Sequence, residues 1–387
     1  MKILIVGGTF DNNGGRPSSI INKMMKSISE HTNRNYTTIF TINGGDYKLL
    51  SRYIQETPDF DIVFWFPNVP NDLEKVRDVK EIAPKVMLVT SKRNDNNKYS
   101  FGDIIQRALV SKSNLLFEFS KVEDTFSIRV VDPLGCLWYE GTDIDSAVKK
   151  TMDRLEYLKS ITRQSTIQSS VDKSLVLSWY FDSFKLDENH SDKIITVPDQ
   201  QPFVDLVHEY AIQLQKNTPK IKVERFLGNA SMKLPPQVGR CGKGMPSFKY
   251  NNMVFVSRRN VPKQFIEMSD FVPVWIEDGK LFYSGDEKPS VDTPVQIRLY
   301  DALPKIRYII HTHSYIENIP FTDIAIPCGA VEEAEEVLSL IDRHFGSRNE
   351  ETYALNLKGH GSIIMADTVN HLKGWTFVER PFPEAMR

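Results

Sequence analysis

Cysteine is scarce in this 387-residue chain, which holds Cys136, Cys241 and Cys328 and no others. They are odd in number and far apart. That excludes a disulfide framework or a cysteine-based zinc finger and fits a reducing, cytoplasmic setting. Long hydrophobic runs are also missing, and no apolar stretch approaches the length of a membrane span. The N-terminal Met1-Lys2-Ile3-Leu4-Ile5-Val6 is too short an apolar run for a signal peptide and reads as a first strand. Charge of one sign is not in excess: 48 Lys and Arg against 50 Asp and Glu leave a formal net charge of -2. Such a balance offers no global attraction to nucleic acid or to an anionic membrane. A hydrophobic content of 41% and a charged content of 25% are those of an ordinary soluble globular protein. The length predicts two or three domains.

Acidic residues are absent from one stretch altogether. From Lys233 to Lys263 there is no Asp or Glu, while Lys233, Arg240, Lys243, Lys249, Arg258, Arg259 and Lys263 all fall there. In a chain of balanced charge this bias describes either a solvated basic surface or a site for an anion such as phosphate.

What is present in the first third is an alternation of short apolar runs with amphipathic segments. Lys2–Val6, Thr37–Thr41, Asp61–Phe66, Lys85–Thr90 and Asn114–Phe119 read as strands, and Ser18–Glu30, Tyr47–Gln55, Leu73–Ala83 and Gly102–Val110 as helices. Near-continuous apolar strands separated by helices predict a parallel sheet covered on both faces, hence an α/β, Rossmann- or flavodoxin-like three-layer domain over residues 1–161. Ser127–Val131 and Leu137–Tyr139 add a hairpin before a long helix, Asp143–Ile161. The loop Gly7 to Ser19, with Gly14, Gly15, Arg16 and Ser18 at a helix start, is either a plain strand-to-helix turn or an anion-holding loop. Its spacing matches neither the Walker A loop nor the dinucleotide fingerprint, so it licenses neither ATP nor NAD. A polar stretch, 162–173, reads as a linker to a second domain, 174–387.

The chemistry gathers in that second part. Tyr308-Ile309-Ile310-His311-Thr312-His313-Ser314 reads as the end of a buried strand, in which residues two apart share a face, so His311 and His313 project side by side. In Lys358-Gly359-His360-Gly361-Ser362 the flanking glycines remove bulk around a third imidazole. Three imidazoles with an open fourth position describe a catalytic divalent-metal site, zinc first among the candidates. His190 and His208 fit no ligand spacing, and His31, His344 and His371 read as surface residues.

The order Gly228-Asn229-Ala230-Ser231, Phe255-Val256-Ser257-Arg258-Arg259-Asn260, Pro289-Ser290-Val291-Asp292, His311-Thr312-His313 and Gly359-His360-Gly361 resembles the class II aldolase/adducin family. The resemblance runs from about Phe203 to about His371. It implies a class II aldolase-like α/β domain with a central sheet. It also implies a divalent metal that stabilises an enediolate during bond cleavage or proton abstraction on a phosphorylated sugar or related anionic hydroxy-carbonyl compound. The reaction class would be that of a lyase, epimerase or dehydratase. Asn229, Ser231, Ser257, Arg258, Arg259 and Ser290 would hold the substrate's phosphate, and Asp292 stands at the family's acid/base carboxylate, normally glutamate. Two arginines replace small residues of the family's phosphate loop, and Gln296 stands where a histidine is common. Tyr315 and Glu317 follow the metal pair. Family members also form homo-oligomers. The alternatives are a non-catalytic, adducin-like assembly module, or nucleotide-sugar binding and glycosyl transfer centred on the N-terminal domain.

Overall fold

The structure, a computed structural model, describes residues 1–32, 37–69, 72–123, 125–161, 167–169, 176–179, 194–197, 200–216, 226–233, 253–277, 280–283 and 287–386. Most of the linker expected at 162–173, and also His190, Arg240, Cys241, Lys243 and Lys249, lie outside the described residues. Two compact units emerge. The first comprises Met1–Ser160, Pro219–Ile221 and Pro381–Arg387, and the second Ile161–Thr218 and Lys222–Arg380. Residues 381–387, which the sequence reading leaves with the second domain, cluster with the first unit.

In the first unit, strands β1 (Lys2–Asp11), β2 (Thr38–Asp46), β3 (Ile62–Asn68), β4 (Met87–Arg93) and β5 (Leu115–Val122) pair in parallel in the order 2-1-3-4-5. This is the doubly wound, flavodoxin-like order, and the domain is Rossmann-like α/β. Helices α1 (Ser19–His31), α2 (Tyr47–Glu56), α3 (Asp72–Ile82), α4 (Phe101–Ser111) and α5 (Ile144–Ser160) lie close to the expected segments. β6 (Thr125–Val131) and β7 (Cys136–Gly141) add antiparallel strands, and the C-terminal Glu384–Ala385 pairs with β7. β1 runs five residues past Val6, so Gly7 to Asp11 are strand rather than loop. The start of α1 is already served from within: Asn43 Oδ1 accepts from the Ser18 amide at 2.7 Å.

In the second unit come β8 (Ile167–Ser169), β9 (Val176–Trp179), β10 (Ile194–Val197), β11 (Asn229–Lys233), β12 (Val254–Ser257), β13 (Phe271–Glu277), β14 (Lys280–Tyr283), β15 (Tyr308–Thr312), β16 (Tyr315–Ile316), β17 (Thr352–Leu357), β18 (Gly361–Ala366) and β19 (Phe377–Val378). The main sheet has the order 17-18-15-11-12-13-14-8 and is antiparallel apart from the β14·β8 pair. Helices α6 (Gln201–Glu209) and α7 (Ala211–Leu214) belong to one face, α8 (Thr293–Ala302) and α9 (Glu332–His344) to the other. The two-residue alternation of a strand explains the two cores. Ile310 and Ile364 pack with Phe203 and Val207 of α6, whereas Ile309 and Ile363 pack with Leu299 of α8 and Val337 of α9. His311 follows Ile309 in that alternation and therefore belongs to the α8/α9 face. No described helix is long and apolar enough to cross a membrane.

Candidate metal centre

β15 lies between β11 and β18, with His311 opposite Asn229 on one side and Ile363 on the other. His313 stands one residue beyond the end of β15, held there because its amide donates to Gln213 O of α7 at 3.0 Å. The strand geometry expected for the histidine pair thus covers His311 alone, yet both rings are buried, with centroids 5.1 Å apart. His360 closes the turn between β17 and β18. A side chain on Gly361 would place its Cβ 1.9 Å from Thr312 O, so only glycine lets the turn approach β15 closely enough for the imidazoles to meet. The turn is clamped further: the Gly359 amide donates to Tyr315 Oη at 3.0 Å, and buried Arg380 donates from Nη1 to Gly359 O at 2.7 Å. Glu317, two residues after Tyr315, is exposed.

His311, His313 and His360 are 3%, 2% and 0% exposed, and one ring nitrogen from each lies within 4.8 Å of the others. The hydrogen bonds define the tautomers. His311 Nδ1 donates to Ser362 O at 3.0 Å and His360 Nδ1 to Glu333 Oε1 at 2.7 Å. In the neutral rings both Nε2 atoms then carry lone pairs, and they face each other at 3.2 Å. A proton on His360 Nε2 bridges the two rings as an N–H···N hydrogen bond, and a metal ion between them takes the place of that proton. Tetrahedral coordination at about 2.0–2.1 Å would separate two imidazole nitrogens by roughly 3.3 Å, close to the separation found. His313 Nδ1 is buried without a hydrogen-bond partner. These three donors therefore fit a divalent metal ion, and the carboxylate behind His360 is the kind of outer partner that orients a metal-bound imidazole.

Electrostatics agree. Burial, reinforced by the neighbouring imidazoles, pushes the pKa of His311 and of His313 well down, so both are neutral donors. Burial acts in the same sense on His360, but Cys328 and the Glu333 carboxylate outweigh it and hold its pKa well up. A proton on His360 is then the natural competitor of a metal.

Both helices of this face begin at the site. Asp292 occupies the N-cap position of α8 without capping it, and is 7% exposed. Its Oδ2 accepts from Asn229 Nδ2 at 2.7 Å, and Gln296 Nε2 donates in turn to Asn229 Oδ1. Oδ1 is buried and makes no hydrogen bond, although the nearby Gly329 amide helps to stabilise the charge. Burial raises the Asp292 pKa to about 6, with His360 opposing and Glu333 adding to the shift.

The remaining sequence-selected residues are placed unevenly. Ser257 Oγ accepts from the Ala230 amide at 3.2 Å, and Ser257 O accepts from the Ser290 amide at 3.1 Å, which ties the 257 and 290 segments together beside Asn229. Arg259 donates to Pro289 O at 3.3 Å and lies near enough to Asp292 for the carboxylate to favour its charge against burial. Ser231 is directed elsewhere, to the Tyr300 hydroxyl at 3.0 Å. Arg258 is engaged by Asp270 at 2.5 Å and Glu287 at 3.6 Å, which offsets much of its charge. The sequence reading did not single out Glu333, Cys328 or Arg380. Glu333 had a signal: with Val337, Leu340 and Ile341 it lies at i, i+4, i+7 and i+8, a carboxylate on the apolar stripe of α9.

The triad is a candidate metal site in an α/β domain that has known relatives. Residues 222–378 match the model of the Class II Aldolase and Adducin N-terminal domain family. Among solved structures the chain is similar to L-fuculose 1-phosphate aldolase, at 16% identity over 45% of this chain and 81% of that one, with a TM-score of 0.30. YgbL from Escherichia coli, an aldolase/epimerase/decarboxylase candidate, gives 15% identity over 44% and 84%, with a TM-score of 0.29. The DNA/pantothenate metabolism flavoprotein from Streptococcus pneumoniae gives 12% over 41% and 99%, with a TM-score of 0.32. No curated protein matches the sequence.

Proposed function

We propose that the protein is a metal-dependent lyase, epimerase or dehydratase acting on a phosphorylated sugar or a related anionic hydroxy-carbonyl compound, in a cytoplasmic homo-oligomer. The observation that carries this reading is the pairing of three buried imidazoles, two with their Nε2 atoms 3.2 Å apart, with a carboxyl whose pKa is about 6. His311, His313 and His360 would hold the ion, zinc being the metal whose ligand preference suits them. When bound, the ion supplies Lewis-acid compensation for negative charge developing on the substrate's oxygens. Asp292 takes or returns the substrate proton at Oδ1, while Asn229 holds Oδ2 and thereby orients the carboxyl. Its raised pKa suits that exchange near neutral pH. Of the six residues expected to hold the phosphate, Ser257, Ser290 and Arg259 are proposed for it, whereas Ser231 is turned to Tyr300, Arg258 to Asp270 and Asn229 to Asp292.

Elemental analysis tests the site first. One metal per chain is expected in the wild type and a large loss in each of His311→Ala, His313→Ala and His360→Ala; equal content in all four proteins would rule the site out. Asp292→Asn is expected to keep the metal and to lose turnover in a screen of sugar phosphates.

A further inference from the structure

We propose that Gln296 is a positioning residue for the acid/base carboxyl, turning the donor side of the Asn229 amide, and not its carbonyl, toward Asp292. This inference rests on the role given to Asp292 above and adds the group that fixes Asn229. Three buried side chains from two elements form one chain of hydrogen bonds. Asp292 stands at the N-cap position of α8, and Gln296 follows one helical turn later, its amide donating to Asp292 O at 3.0 Å. Residues four apart share a helix face, so both side chains leave α8 on the same side. Asn229, at the start of β11, lies between them: Nδ2 donates to Asp292 Oδ2 at 2.7 Å, and Oδ1 accepts from Gln296 Nε2.

A primary amide is a donor at one end and an acceptor at the other, and its two orientations have nearly the same shape. For Asn229 the difference decides the chemistry. With Nδ2 toward Asp292 it stabilises the carboxylate, the form that can take a proton. With Oδ1 there it would repel the carboxylate and favour a proton on Oδ2, away from the unpartnered Oδ1. The Asn229 side chain bonds only these two partners among the described residues, so the end opposite Asp292 is set by Gln296. The carbonyl of Gln296 itself, Oε1, is buried and makes no hydrogen bond within the protein. An unsatisfied buried oxygen is costly where packing alone is needed, which speaks for a role in the amide's other end. The remaining groups that face the carboxyl come from other segments. His360 and Arg259 favour its charge, Glu333 opposes it, and the Cys328 thiol lies near; none of them changes when Gln296 is replaced.

Titration of the full-length metal-free protein tests this without metal or turnover. The Asp292 carboxyl carbon, followed by NMR in aspartate-labelled protein and identified by its loss in Asp292→Asn, should titrate at about pH 6 in the wild type. In Gln296→Met, similar in length and without a donor, the midpoint should rise by about one unit. Asn229→Leu should raise it at least as far, and adding Gln296→Met to Asn229→Leu should raise it no further, because Gln296 acts through Asn229. An unmoved midpoint in Gln296→Met, or the same rise with and without Asn229, would overturn the proposal and leave the role of Asp292 standing. A wild-type midpoint at about pH 4, the ordinary carboxyl value, would overturn both. A second measurement needs no substitution in the core. In the wild type the side-chain amide signals of Asn229 and Gln296 should both move with the Asp292 midpoint, and a Gln296 signal indifferent to it would also reject the positioning role.

Discussion

Asp292 carries its charge against the cost of burial, and that cost has a sign that stability measurements can read. Its pKa is about 6 in the fold against an ordinary 3.8. Between those values the folded chain keeps a proton that the unfolded chain has released, so stability is greatest below about pH 4 and is lost as pH rises through about 6. One pKa unit corresponds to about 1.4 kcal/mol, which puts the full cost of the ionised group on the order of 3 kcal/mol. Asp292→Asn removes the charge and can still accept from Asn229. In metal-free protein, denaturant titrations should find the variant gaining on wild type by about that amount between about pH 4 and pH 7. A gap that does not change with pH would contradict the assigned shift. A bound cation would reverse the balance by offering Asp292 a nearby positive charge.

At the scale of elements, the site exists because α9 turns a carboxylate inward. Glu333 is buried on the stripe that packs against β17 and β18, and its Oε1 receives His360 Nδ1 at 2.7 Å. That bond selects the tautomer with Nε2 free for a metal and, after the larger effect of Cys328, helps to hold the His360 pKa up against burial in the metal-free state. Zinc must displace the proton there, so its affinity is expected to rise with pH beyond the ordinary histidine range. Glu333→Gln keeps the shape but not the charge. Metal affinity is expected to fall by about tenfold to a hundredfold, the cost typical of an outer-shell partner. The pH dependence of binding should shift to lower pH at the same time. Zinc isotherms over a range of pH check both; a variant with weaker binding and an unmoved pH profile would mean that Glu333 serves packing alone.

At the scale of the whole molecule, the chain's last residues return to the first sheet. The Phe382 ring meets Phe101 of α4 with centroids 4.9 Å apart, and Glu384 and Ala385 pair with Cys136 and Leu137 of β7. The Glu384 amide donates to Gly135 O at 3.2 Å, and the Met386 amide to Leu137 O at 2.9 Å. Phe382→Ala in the full chain is therefore expected to destabilise this edge by about 1–3 kcal/mol, the value of a partly buried aromatic ring. Hydrogen exchange should quicken in β7 and stay unchanged in β15. Equal protection of β7 in variant and wild type would mean that the C-terminal strand adds nothing to the edge.

The sequence by itself determined what depends on local period and chain chemistry. The apolar runs and amphipathic segments of the first third recur as β1 to β5 and α1 to α5 within a few residues, because strand and helix periods are written in neighbouring positions. The motif order pointed to the same family whose model matches residues 222–378. Tertiary structure decided the rest, because it depends on which distant segments meet. Glu333 reaches His360 across 27 positions and Asn229 reaches Asp292 across 63. No local period encodes either meeting. A basic stretch that reads as one anion site is split by the same cause: Asp270, brought back by β13, engages Arg258, while Arg259 is left beside Asp292. The side on which a group lies follows from residue order, but its partner follows from the sheet's pairing, and the chemistry of the site depends on the partner.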